Sequence, residues 1–418
     1  MDGSIKADVS TKWGPRPINQ FMRVLQVLES MGGGTRKHLE LLARGLKSRG
    51  VDVTLALPFE RPYDPKAALM DYTFPHLMRS QGFRVEQFHM VHGRISPRFD
   101  ALALYELTRF IRHEHFDVVH THSAKAGVLG RLAARLACSP AIVHTPYSLP
   151  FRTELRQGSR YYLYYGLEKT LAAFTDTIIA TSLAEQKEIA SSGLISRDRV
   201  PLIHNCFDLE RYDFSHGQSK TFKEALGWDR SRSVVGTVAR LSPQKGLLSL
   251  VECAGIVKQK LPKIQFVVVG DGEQRITIEQ KVATLALTQN FTLVGNRADY
   301  LLFMRAFDVF AFPSLWEGLP YAPIESMAIG TPVVASAATG TIDLIIHERT
   351  GLLVEIGDAQ AMAAAILRLL GDANLASNLA YQARKYVEDN FNGDHPVDQT
   401  LHLYDQLYTS KRAVDTKL

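Results

Sequence analysis

At 418 residues the chain exceeds one ordinary domain, and 46% hydrophobic with 22% charged residues is the profile of a globular protein with two full cores. No apolar run approaches the ~18 residues of a spanning helix, and three cysteines at unrelated spacings (Cys138, Cys206, Cys253) build neither a disulfide framework nor a zinc site, so a reducing cytoplasm is expected. The net charge of +5 is unevenly divided: residues 1–209 carry 27 Lys+Arg against 20 Asp+Glu (+7) and residues 210–418 carry 21 against 23 (−2), which draws an anionic partner to the first half.

Residues 1–20 are polar, hold Pro15 and Pro17, and lack the apolar core of a signal peptide; they read as a disordered leader. "MRVLQVLES" follows as a buried strand. It runs into "MGGG" and an amphipathic helix, "TRKHLELLARGLKSRG", with Leu39, Leu42 and Leu46 at helical spacing. "VDVTLAL", "FDVVHTH", "AIVHTPY" and "TDTIIAT" are further short apolar strands separated by helical stretches, the pattern of a parallel sheet flanked by helices. The alternation lapses at "HNCFDLERYDF", residues 204–214. It restarts at "SVVGTVARLSPQKG" and continues through "IQFVVVGDG", "FTLVG", "DVFAFPS" and "TPVVAS". The expected layout is a Rossmann-like domain over 21–209, a second over 210–395, and a closing amphipathic helix over 396–418 that packs back towards the first. Two doubly wound sheets facing each other set their strand carboxyl ends around one cleft, where ligands of such sheets bind.

Four charged residues fall at strand ends on that cleft. Arg240 and Lys245 lie in "ARLSPQKG"; a planar donor fork beside a compact ammonium suits adjacent phosphates, although the pair alone also reads as two solvated loop cations. In "SLWEGLPYAPIE", Glu317 and Glu325 have seven residues between them, including Gly318, Pro320 and Pro323. A helix starting at Pro320 or Tyr321 accommodates these breakers, because proline is tolerated in a first turn. The helix N-terminus, with about half a positive charge, then points into the cleft. Glu325 stands about one turn in, able to accept two hydrogen bonds from a ribose cis-diol, and Glu317 faces a sugar ring from the loop. Helix capping and solvated surface charge are the plainer reading of both glutamates.

Other motifs fail. No two aspartates are separated by one residue, "SPQKG" lacks the paired glycines and the hydroxyl residue of a P-loop, and "GDGEQR" lacks the third glycine of a dinucleotide fingerprint. "HTH", residues 120–122, has no third metal ligand nearby and reads as core or strand-end histidines.

These residues, in this order and on these elements, resemble the retaining glycosyltransferases of family four, which have the GT-B fold. The resemblance covers nearly the whole chain and is most specific in "VARLSPQKG", "VVVGDGEQR" and "FPSLWEGLPYAPIESMAIGTPVVAS". It implies that Arg240 and Lys245 hold the diphosphate of a nucleotide sugar, that Glu325 binds the ribose, and that Glu317 contacts the donor sugar. It further implies that Gly33 and Gly34 bring backbone amides close to the diphosphate and reacting sugar. The implied activity is metal-independent transfer with retention, the leaving diphosphate taking the acceptor's proton; no cofactor beyond the donor substrate and no nucleic acid is expected. Where many members carry a histidine facing the donor sugar, "HTPYSLPF" has Tyr147, which can donate a hydrogen bond to a sugar hydroxyl but carries no positive charge. His144, three residues earlier, points to the other face of its strand. A sugar-nucleotide epimerase or a non-catalytic nucleotide-sugar binder on the same fold are the alternatives.

The acceptor side is read from charge. Residues 125–169 carry Lys125, Arg131, Arg135, Arg152, Arg156, Arg160 and Lys169 against Glu154 and Glu168, and "RQGSRYYLYYGLEK" interleaves Tyr161, Tyr162, Tyr164 and Tyr165. Such a mixture suits an anionic lipid headgroup layer and places the protein peripherally at the inner face of a membrane. "HTHSAKAGVLGRLAA" resembles members acting on polyprenyl-diphosphate-linked saccharides, with Lys125 meeting the acceptor's diphosphate. The alternative is an ordinary helix with tyrosines in its core and arginines on a solvated face.

Overall fold

Both halves form the expected parallel sheet. The first contains β1 (Arg23–Leu28), β2 (Asp52–Pro58), β3 (Arg84–Phe88), β4 (Val118–His122), β5 (Ala141–Thr145) and β6 (Thr177–Ile178) in the order β3-β2-β1-β4-β5-β6. The second contains β7 (Val234–Val238), β8 (Gln265–Val269), β9 (Phe291–Gly295), β10 (Val309–Phe312), β11 (Val333–Ser336) and β12 (Leu352–Val354) in the order β12-β11-β10-β7-β8-β9. Counted within each half, the two orders are the same doubly wound topology, so β7 and β10 are the counterparts of β1 and β4. The computed structural model describes residues 22–59, 72–91, 95–139, 141–147, 159–215, 217–391 and 394–415, and the expected leader over 1–20 lies outside them.

The central strands are buried on both faces, β10 and β11 by almost wholly apolar side chains, while β1, β4 and β5 also bury polar ones (Gln26, His120, His122, His144). Helix Gly33–Ser48 starts two residues earlier than its periodicity suggests, because glycine supplies its first two positions. Its Leu39, Leu42 and Leu46 pack into the first core together with Val397, Leu401 and Tyr404 of helix His395–Asp415. In the segment between the sheets, Phe207 and Tyr212 stack with centroids 4.8 Å apart and join the second core.

Edge strands depart from the sequence reading. β3 and β12 are absent from it, and β6 shrinks from "TDTIIAT" to two residues, prolonged by a bridge between Ala180 and Leu202. Each pairs on one side only and needs fewer consecutive apolar side chains than a central strand, so its pattern is short or interrupted.

In each sheet the order reverses between two strands, β1 and β4 in the first and β7 and β10 in the second. Loops leaving those strands part in opposite directions and open a crevice at the carboxyl edge. Gly33 and Gly34 follow β1, Arg240 and Lys245 follow β7, and Glu317 and Glu325 follow β10. The topology itself gathers the candidate residues.

Candidate active site

On the second domain, the loops after β7 and β10 are clamped together. Leu315 N–H donates to the Gln244 carbonyl at 2.8 Å, and Gln244 Nε2 donates to the Trp316 carbonyl at 2.9 Å. The clamp brings Lys245 Nζ to Glu317 Oε1 at 2.6 Å, with side chains only 19% and 8% exposed. The Arg240 side chain, by contrast, is exposed and makes no ion pair or hydrogen bond among the described residues. Helix Tyr321–Ile329 begins after Pro320 with no side-chain cap and no acid in its first turn, so its leading N–H groups remain available to an anion.

Glu325 is the fifth residue of that helix and is 1% exposed. Its Oε1 accepts from the hydroxyls of Tyr212 at 2.9 Å and Tyr300 at 3.1 Å, and pairs with the Lys37 ammonium of helix Gly33–Ser48. The ion pair therefore joins the two domains. Burial works against the charge on Lys37, but Glu325 and Tyr300 outweigh it and hold the ammonium above its ordinary range. Burial pushes both phenols up as well, so they stay protonated donors.

Across the cleft, Gly33 adopts φ +63° to open helix Gly33–Ser48. A Cβ on Gly34 would meet Tyr321 Cδ2 at 2.8 Å, so Gly34 lets the first domain lie against the second domain's helix. Tyr321 in turn donates to the Cys206 carbonyl at 2.6 Å, Asn205 Nδ2 donates to the Leu319 carbonyl at 3.0 Å, and Cys206 N–H donates to His38 Nδ1 at 3.1 Å. That last bond needs a neutral imidazole, and burial holds His38 down at about 4. Gly318 abuts the backbone carbonyl of Tyr147, where any side chain would collide.

Tyr147 departs from expectation. With φ +59°, it turns its hydroxyl inward to His122 Nδ1 at 2.8 Å instead of offering it to a sugar. His122 Nε2 donates to Gln26 Oε1 at 2.6 Å, and Gln26 Nε2 donates to the Tyr404 oxygen at 3.0 Å. The Tyr404 hydroxyl lies 2.5 Å from His120 Nδ1, and His120 Nε2 2.8 Å from Thr145 Oγ1. Gln26 Oε1 can only accept, so neutral His122 carries its proton on Nε2 and takes the Tyr147 proton at Nδ1. His120 and His122 are core histidines that burial keeps neutral, as the motif without a third ligand suggests. His144 lies on the opposite face, bonded to Thr121 at 3.0 Å.

The acceptor-side residues scatter. Lys125 Nζ donates to Asp100 Oδ1 at 2.8 Å, which spends part of the charge expected to meet a diphosphate. Arg131 is fully buried in a pair with Glu168 at 2.8 Å and does not belong to a solvated basic face. On helix Ser159–Ala172, Tyr161, Tyr164 and Tyr165 pack half-buried on a small core, while Tyr162 and Leu163 are 71% and 65% exposed. Arg152 and Arg156, and the side chain of Arg160, lie outside the described residues.

Lys37, Tyr212 and Tyr300 escaped the sequence reading. No motif marks them, since their common partner is 288, 113 and 25 positions away. The only available hint was that a glutamate inside an otherwise apolar helix needs donors.

Two family models match the chain in series: "Glycosyltransferase Family 4" over residues 32–211 and "Glycosyl transferases group 1" over 218–386. An Escherichia coli UDP-Gal:alpha-D-GlcNAc-diphosphoundecaprenol alpha-1,3-galactosyltransferase is 33% identical over 316 residues, covering 75% of this chain and 81% of that one. The Staphylococcus aureus capsular polysaccharide biosynthesis glycosyltransferase CapM is 28% identical over 79% of this chain and 89% of its own. Anabaena HepE, solved in complex with UDP and glucose, superposes with a TM-score of 0.78 at 23% identity, over 92% of this chain and all of that one. The last likeness speaks for the fold, and it is GT-B. With both models matched and a third of positions shared over most of the galactosyltransferase, the chain belongs to glycosyltransferase family four and is a glycosyltransferase acting on nucleotide sugars.

Proposed function

We propose that the chain transfers a hexose from a nucleoside diphosphate sugar to an acceptor hydroxyl with retention at the anomeric carbon and without a metal. The observation that carries this reading is the polarity of the cleft: exposed Arg240, the Lys245–Glu317 pair and an uncapped helix N-terminus all meet at one sheet edge. Arg240, Lys245 and the helix would take the diphosphate, with the backbone at Gly33 and Gly34 closing over it. Glu317, held by Lys245, would contact the donor sugar, and Glu325 the ribose. As the bond from the anomeric carbon to the diphosphate oxygen breaks, negative charge grows where these fixed donors are aimed. The acceptor oxygen bonds to the same face of that carbon, and its proton passes to the leaving phosphate oxygen. No protein nucleophile is used. Tyr147 donates no hydrogen bond to the sugar, because its proton is engaged by His122.

The acceptor we infer is a lipid-linked saccharide. The galactosyltransferase relative acts on a diphosphoundecaprenol-linked sugar by its name, and the first half carries the positive excess. Exposed Tyr162 and Leu163, with Phe99, Leu102 and Tyr105 of helix Pro97–Glu114, supply apolar side chains for a peripheral contact at an anionic, inner membrane face. Among the described residues no helix is long and apolar enough to cross a membrane.

One assay tests the whole reading. UDP-, GDP- and ADP-sugars are offered with a diphosphate-lipid saccharide in anionic vesicles, with and without excess chelator, and the product's anomeric configuration is read by NMR. Retention with undiminished turnover in chelator is expected. Inversion, or activity lost to chelator and restored by manganese, would sink it.

A further inference from the structure

Lys37 sits on the first domain and Glu325 on the second, and their contact crosses the cleft. The ammonium also donates to the Tyr300 hydroxyl at 2.9 Å and lies 4.6 Å from the Tyr300 ring centroid, while Tyr300 passes its own proton to Glu325. Tyr212, Tyr300 and Lys37 all reach the same oxygen, Oε1. A carboxylate has about four lone-pair positions over two oxygens, so Oε2 keeps the capacity to accept from a diol. Tyr212 and Tyr300 donate to Glu325 but bring no charge, and the ring of Tyr321 beside them brings none either. Lys37 forms the one ion pair to Glu325 among the described residues. A carboxylate this buried is costly to keep ionised without a counter-charge, and a protonated one accepts a diol's hydrogen bonds poorly.

We propose that Lys37 is a positioning residue of the donor site: carried by the first domain, it supplies the counter-charge on Glu325 Oε1 and leaves the carboxylate aimed at the ribose. The ribose pocket is therefore complete only while the two domains are closed on each other. This rests on the donor-site reading above and deepens it. Glu325 would recognise the diol, but the acceptor domain supplies the charge that makes it able to.

The test is calorimetric titration of UDP into wild type, Lys37→Met, Lys37→Arg, Glu325→Gln and the Lys37→Met/Glu325→Gln double variant, with thermal unfolding of each. Lys37→Met is expected to weaken UDP binding about tenfold or more. Lys37→Arg should recover most of the affinity, and Glu325→Gln should cost less in the Lys37→Met background than in wild type. A merely structural strut would give neither the recovery by arginine nor the non-additivity. If Lys37→Met fails to fold, the double variant, which leaves no uncompensated charge, takes its place beside Lys37→Arg, and equal UDP affinity of that double variant and wild type overturns the proposal. Lys37→Met binding UDP as tightly as wild type, or more tightly, overturns this proposal alone. A wild-type chain that ignores UDP, GDP and ADP alike overturns the donor reading with it.

Discussion

β4 and β10 hold equivalent places in the two sheets, yet the loops around them have opposite electrostatics. After β1, Glu29 reaches over to the helix that follows β4 and accepts from Ser123 Oγ at 2.6 Å and Ala126 N–H at 3.1 Å. The N-terminus of helix Ala124–Leu136 is thereby filled by the protein's own carboxylate. After β7, the counterpart of β1, the chain carries Arg240 and Lys245, and the helix following β10 begins uncapped. One fold, used twice, closes its anion site with an acid in one copy and leaves it open beside two bases in the other. A doubly wound sheet only offers a crevice; on the proposed function, the sign of the residues after its first strand is what would admit a diphosphate there.

Breaking the open side should have the largest effect. Arg240→Ala is expected to lower kcat about 10²- to 10³-fold, because charge on the diphosphate grows in the transition state. Steady-state kinetics at saturating donor would reveal it, and a loss under threefold would mean a solvated surface arginine. Glu325→Gln comes next. It should weaken nucleotide-sugar binding about ten- to hundredfold, since hydrogen bonds to a charged group contribute ~1.5–3 kcal/mol. Unchanged binding of the intact donor would remove Glu325 from the ribose.

The closed side should respond in stability and not in chemistry. Glu29→Ala is expected to cost about 1–3 kcal/mol of unfolding free energy by stranding the helix N–H groups it satisfies, with donor affinity within twofold of wild type. A donor-binding defect as large as that of Glu325→Gln would erase the contrast between the halves. Acid offers the gentlest probe. His38, His120, His122 and His144 are all buried in the first domain, and burial lowers each below its ordinary value, His38 to about 4. Their folded-state values are depressed, so the unfolded chain takes up protons first as pH falls. The stability they support is intact above pH ~6.5 and drains away as pH falls below it, for His38 down to about pH 4. Hydrogen exchange at pH 5 should accelerate in β4 and β5 before β7 and β10; simultaneous loss would show that these imidazoles are not the cause.

How much of this was legible from residues alone follows from how far each interaction reaches along the chain. β1, β7 and β10 are buried strands rich in apolar residues and announce themselves by them, β4 by its leading valines, and the helix starting at Tyr321 was readable from Pro320 and Pro323. Glu317 and Glu325 were legible by spacing, Arg240 and Lys245 by their place after a strand. Lys37 was not, because its partner lies 288 positions away on another domain and nothing local distinguishes it from its neighbour Arg36. The orientation of Tyr147 was hidden for a similar reason. Its hydroxyl answers to His122, Gln26 and Tyr404, three residues on three elements, and only their joint packing decides which way the proton points.

Tyr404 carries a consequence for how the molecule is made. It is completely buried between Gln26 and His120, 378 and 284 positions earlier, and its neighbours Val397 and Leu401 fill the same core. On a ribosome, the first domain emerges early with a trench lined by core leucines beside Gln26 and His120 where this helix belongs, and it waits through the synthesis of the entire second domain before the trench is covered. Contacts of such long sequence separation are slow to form and leave apolar surface uncovered meanwhile. The first domain is therefore the first to be synthesised and the last to be finished.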